Sequence, residues 1–220
     1  MMTKDTGENK VSKKNISRRT CLKYLLGLGL GCLLPWGAVH QAEAAKLTER
    51  EALAQFGINL HYPSLAFGDM SLRQQTSAIV VHHLGFPDGH DASAAEVHNF
   101  HRNQGWAGIG YHYLIHRDGA VEKCRPVEME GAHCYQNNGY TVGICVGGNF
   151  EIDQPSKAQM EVLAKMLSAM CLLYDIKPGS RTIRGHQEYN KTKCPGKNLQ
   201  AKLPQLRIRT SMLLDQARSK

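Results

Sequence analysis

Long apolar runs, internal repeats and compositional bias are all missing from this 220-residue sequence. A membrane span needs about 20 apolar residues. The longest such run, Tyr24 to about Val39, is shorter and rich in Gly. No segment repeats at a solenoid period. Gly 21 and Pro 8 are near average, which excludes collagen-like and low-complexity classes. A strong charge bias is missing from most of the chain too. Seven of the 27 Lys/Arg and three of the 19 Asp/Glu lie in residues 1–44, so the formal +8 falls to +4 over residues 45–220. That balance argues against a nucleic-acid partner and leaves a weak preference for anionic surfaces such as a bacterial envelope. What is present, 42% apolar and 21% charged residues, suits one packed domain.

Residues 1–44 read as an address. A polar, basic stretch ends in Ser17-Arg18-Arg19-Thr20-Cys21-Leu22-Lys23, the apolar run follows, and Ala42-Glu43-Ala44 forms a small-x-small cleavage signature. The paired arginines resemble the twin-arginine export motif. An ordinary signal peptide, or lipidation at Cys32, is the alternative. The expectation is an exported or periplasmic protein with no membrane span in the mature chain. Residues 45–76 are expected to hold a short helix and an irregular lead-in, and 77–220 the functional domain.

The element pattern predicts an α/β fold, a central mixed β-sheet flanked by helices. Thr48 and Glu51 form a capping box for a helix ending near Gly57. The β-branched run at Ala78–Val81 predicts a buried strand that delivers His82 and His83. Ser93 caps a helix through about Asn103, stopped by Gly105. Gly110–His116 alternates at period two, and Arg117-Asp118-Gly119 turns it into Ala120–Lys123 as a hairpin. Thr141–Val146 is a second buried strand. Ser156 starts the strongest helix, with Met160, Leu163, Ala164, Leu167, Met170 and Cys171 on one core-facing stripe. Arg181–Arg184 reads as a last strand running into His186, and a basic helix closes the chain.

Three residues stand out as metal ligands: His82, His186 and Cys194. Each falls where a strand gives way to a loop, and the last two are eight residues apart. Two imidazoles and a thiolate suit Zn2+, with a fourth position for water, whose pKa zinc can bring from 15.7 to roughly 7. Spacing alone does not decide this, because eleven histidines offer many trios and Cys194 is also free to join a disulfide.

From about Ser77 to Leu199 the chain resembles the zinc-dependent muramoyl-alanine amidases, a family that includes phage amidase lysozymes and peptidoglycan recognition proteins. The matching segments are Ile79-Val80-Val81-His82-His83, Gly105-Trp106, Gly108-Ile109-Gly110-Tyr111-His112-Tyr113, Arg117-Asp118-Gly119, Gly131-Ala132-His133, Val142-Gly143-Ile144, His186-Gln187-Glu188 and Cys194-Pro195-Gly196. The resemblance implies that His82, His186 and Cys194 bind zinc in a cleft at the strand ends. It implies that Tyr111 and Thr192 serve catalysis and that His133 contacts substrate. The implied function is hydrolysis of the amide between N-acetylmuramic acid and L-alanine of peptidoglycan or muropeptides, by a monomer. The alternative is a non-catalytic peptidoglycan-binding module.

Two departures qualify the match. Phage enzymes carry a lysine where this chain has Thr192, and some relatives carry a glutamate where it has Cys145. The general base therefore stays open among Tyr111, hydroxide on zinc and an unplaced carboxylate. Further expectations concern single residues. His83 supports a ligand or packs; His90, His98, His101 and His116 are surface histidines; Trp106 is core. Cys124 and Cys134 are close enough in sequence to pair, and Cys171 is buried and inert.

Overall fold

The computed structural model describes residues 47–219. The expected signal segment and the boundary at residue 44 lie outside them. Three helices begin at the predicted caps. Thr48, Ser93 and Ser156 each accept from the backbone three residues on, while Glu51, Glu96 and Gln159 reach back in full capping boxes. These start α1 (Glu49–Gln55), α2 (Ala94–Asn103) and α3 (Lys157–Leu173). A short α4 (Lys197–Gln200) and a long α5 (Leu203–Arg218) end the chain.

Six strands form one mixed sheet: β1 (Leu60–His61), β2 (Ala78–His83), β3 (Tyr113–Ile115), β4 (Val121–Lys123), β5 (Thr141–Val146) and β6 (Ile183–Gly185). Their order is β1-β4-β3-β5-β2-β6, and only the β3–β4 hairpin is antiparallel. Every residue of β2, β3 and β5 is buried, as befits strands covered on both faces. The period-two pattern survives as a division between two cores. Ile79, Val81, Tyr113, Ile115, Val142, Ile144 and Val146 face a layer built on α1, α3 and α5. Leu114 and Cys145 face a smaller cluster under α2 and the 65–67 arm. Truncating a fully buried α3 residue such as Leu167 to Ala costs about 2–5 kcal/mol.

Three boundaries differ from the sequence expectation. β1 lies inside the stretch read as irregular and pairs in parallel with β4; at two residues it has no pattern to detect. β3 keeps only Tyr113–Ile115, because His112 N–H is bonded to Gly143 O and Ala132 N–H to Gly110 O outside the ladder. β6 starts at Ile183, since Thr182 N–H and its hydroxyl close a turn on Gly179 O and Lys177 O.

Unequal cover positions the site. One sheet face carries three helices. The other carries α2 alone, leaving an open groove lined by α2, the segments that precede β3 and β5, and the loop after β6.

Candidate active site

His82 continues the alternation of β2 and points to the thinly covered face. His186 opens the 3-10 turn His186–Glu188 directly after β6, and Cys194 follows in the next loop. One ligand atom from each of His82, His186 and Cys194 lies within 4.8 Å of the others. His82 Nδ1 stands 3.5 Å from Cys194 Sγ. A nitrogen and a sulfur on one tetrahedral zinc are separated by about 3.5 Å, given bonds of about 2.0 and 2.3 Å. The donor set and its spacing therefore fit zinc.

The second nitrogens are also committed. His82 Nε2 is 3.0 Å from His133 Nδ1, so a His82 that offers Nδ1 to a metal donates its N–H to His133. His186 Nε2 donates to Asn190 Oδ1 at 3.1 Å, which frees Nδ1. Asn190 Oδ1 also accepts from the Cys134 thiol at 3.4 Å, while its amide donates to Tyr135 O. The His83 backbone N–H donates to Cys194 Sγ at 3.4 Å.

Electrostatics keep the imidazoles neutral. Burial, then the neighbouring His133 and His186, hold His82 well below its ordinary value. Burial also lowers His186, with Asn190 acting against it. Burial pushes the Cys194 thiol up to about 12 despite the His83 N–H, so metal binding here releases the thiol proton.

Of the three ligands, His186 lines a groove of about 510 Å³, together with His101, Trp106, Tyr111, His133, Asn138 and Thr192, while His82 lies fully buried. The Tyr111 and His82 rings lie 5.1 Å apart. Burial, with the Cys145 and Cys194 thiols close by, raises the Tyr111 hydroxyl well above its ordinary value, so it is a donor at neutral pH. Thr192 sits exposed at the groove mouth, where Oγ1 accepts the Cys194 N–H at 3.2 Å and keeps its own hydrogen for a ligand. His133 lines the groove and also backs His82. It fits there because Gly143 has no side chain: a Cβ would stand 2.6 Å from the His133 ring.

The family described as N-acetylmuramoyl-L-alanine amidase matches residues 72–197. The chain belongs to that amidase family. The endolysin of Escherichia phage T7 is 31% identical over 134 residues, 58% of this chain and 85% of its own length. Peptidoglycan-recognition protein SC2 of Drosophila melanogaster is 31% identical over 135 residues, 59% and 73% of the two chains. Among solved structures, the endolysin amidase LysCS from Clostridium intestinale superposes with a TM-score of 0.59 at 26% identity, covering 64% of this chain and 88% of that one.

Several single-residue expectations need correction within the amidase fold. His98 and His101 are buried, not superficial. His98 accepts from Ile109 N–H and faces Ala66 O, and His101 accepts from Gly110 N–H, so both clip α2 to the segment that leads into β3. His116 is half-buried, its two nitrogens 3.2 Å from Asp91 and 3.0 Å from Glu122. Trp106 is 41% exposed; Gly105, at φ +82°, ends α2 so that the indole packs on His101 as a groove wall. Cys124 and Cys134 are buried and unpaired. The first contacts Glu122 O and the second Asn190, so they serve different neighbourhoods. The other expectations agree: His83 packs, accepting from Phe150 N–H, and Cys171 is buried. Cys145 is buried opposite His82 in the β2–β5 register. Sequence reasoning missed Asn190, for which the spacing of four from His186 was the available signal.

Proposed function

We propose that this amidase is zinc-dependent and that His82, His186 and Cys194 hold the ion while it hydrolyses the N-acetylmuramoyl–L-alanine bond of peptidoglycan or muropeptides. The observation that carries the reading is the convergence of those three donors, with His186 also lining an open groove. Zinc bound there supplies a Lewis acid for the scissile carbonyl and water activated at neutral pH.

The chain's own groups supply the rest. His133 and Asn190 fix the ring orientations of His82 and His186. Tyr111 Oη, kept protonated, donates to the oxygen on which negative charge develops. Thr192 Oγ1 donates from the groove mouth. The apolar walls given by Trp106 and Tyr111 limit water around the reacting amide. A thiol at Cys145 with its pKa raised by burial is a poor base, so no proton transfer is assigned to it.

The reading extends to a monomer exported to the periplasm by a twin-arginine leader, supported by Arg18-Arg19 ahead of the apolar run. Among the described residues no helix is long and apolar enough to cross a membrane. The test is metal analysis of the purified protein beside His186→Ala. One zinc per chain, lost in the variant with an unchanged circular dichroism spectrum, supports the ligand set. Equal zinc in both proteins overturns it.

A further inference from the structure

The positive charge of residues 45–220 is concentrated at one end. Residues 197–220 carry six Lys/Arg and one Asp, a net +5, whereas residues 45–196 carry 14 Lys/Arg and 15 Asp/Glu. Lys197 opens α4 at the edge of the 72–197 amidase match, Lys202 lies just before α5, and Arg207, Arg209 and Arg218 lie on α5. α5 belongs to the helical layer on the sheet face opposite α2. There α3 and α5 border a groove of about 740 Å³, with Met160, Ala164 and Leu206 as an apolar floor and Lys157, Lys202 and Arg209 at the rim. Glu161, the carboxylate in that lining, is held by Lys165 at 2.8 Å, and Arg209 adds a weaker attraction from farther off. Among the described residues no carboxylate forms an ion pair with Lys157, Lys202 or Arg209. Beside this rim α5 exposes Ile208 (64%) and Met212 (48%), one turn apart.

We propose that the α3–α5 face docks on an anionic phospholipid surface, with lipid phosphates at Lys157, Lys202 and Arg209 and with Ile208 and Met212 entering the interface. Unpaired cations around exposed aliphatic side chains are the chemistry of interfacial binding, in which charge attraction and apolar burial add. A soluble polyanion would use the cations and leave the two aliphatic side chains in water. The leader is an unsuitable occupant, because residues 1–44 are themselves net positive, and a second copy offers only the near-neutral surface of residues 45–196. Docked this way, the catalytic groove on the other sheet face is directed away from the bilayer. The inference does not rest on the catalytic reading.

The test uses the full chain carrying Ile208→Trp and vesicles of phosphatidylglycerol with brominated acyl chains. Subtracting the parent protein's emission isolates the added indole. The expected result is quenching on phosphatidylglycerol vesicles, none on phosphatidylcholine vesicles, and loss in high salt. Each surface cation contributes about fivefold to partitioning, so Lys202→Gln with Arg209→Gln weakens it on the order of 25-fold. Cleavage of a soluble muropeptide stays unchanged in these variants. An unquenched indole, quenching equal on neutral vesicles, or quenching indifferent to the two glutamine substitutions overturns the proposal. So does a face that binds polyphosphate but not vesicles.

Discussion

Asn190 carries no charge, yet it fixes His186 through one oxygen and ties that loop to Tyr135 through its amide. Partners behind a metal ligand typically set metal affinity by 10–100-fold. Asn190→Ala is therefore expected to weaken zinc binding by about that factor in a chelator competition while KM changes little; unchanged affinity would show that the contact is incidental. Tyr111 acts at the reacting atoms instead. Tyr111→Phe should lower kcat by about 10²–10³ with zinc content intact, and a variant that loses its metal would contradict the donor role. His82, His186 and Cys194 stood out as candidates because each falls where a strand gives way to a loop, but eleven histidines offered many trios, and the resemblance to the amidase family singled this one out. His98 and His101 were not, since nothing in a helix sequence distinguishes an imidazole that faces water from one that accepts a backbone N–H from residues 109 and 110. Trp106 was misjudged for a related reason: the turn at Gly105 decides where the indole goes.

At the scale of elements, the β2–α2 loop is pinned to the hairpin by His116 together with Arg117, which bonds Asp91 and Gly89 O. His116 lies between Asp91 and Glu122. Those carboxylates also accept Arg117 N–H and Ala94 N–H, the latter at the start of α2. Removing the ring leaves two nearly buried carboxylates facing each other. His116→Ala should cost about 3 kcal/mol, or about 6–12 °C in Tm by calorimetry, and a shift under 2 °C would deny the clamp. Gly143 in β5 is a second structural dependency. Gly143→Ala drives a methyl into the His133 ring, so it should cost about 1–3 kcal/mol and also loosen zinc. Stability loss without any change in zinc affinity would separate His133 from His82. The starts of α1, α2 and α3 were readable to the residue, because a side-chain cap is local chemistry, whereas α4 and α5 have no such cap. The two-residue edge strand β1 was not readable, because it exists only through its partner β4.

For the whole molecule, acid is the revealing variable. Burial lowers His101 to about 4 and His133 to about 3, and holds His112 well below its ordinary value. In the unfolded chain these rings take up protons near pH 6.5. Between the two ranges the unfolded state binds more protons. The stability they contribute is therefore complete above about pH 6.5 and is lost as pH falls toward 4, at about 1.4 kcal/mol per unit for each ring. Tm should drop steeply from pH 7 to pH 5, and a flat profile would contradict the burial of these histidines. The mixed sheet with helices on it followed from the alternation of strand and helix signals. The unequal cover of its two faces, which makes the groove, did not, because it depends on where α5 packs. The central claim is metal-assisted cleavage of the muramoyl–alanine amide, and the most direct measurement is mass spectrometry of a defined muropeptide after incubation with the protein. The account predicts free stem peptide and lactyl-sugar products, abolished by chelation, restored by zinc, and absent with His186→Ala. An uncut muropeptide in the presence of zinc, or cleavage that survives chelation, would contradict it.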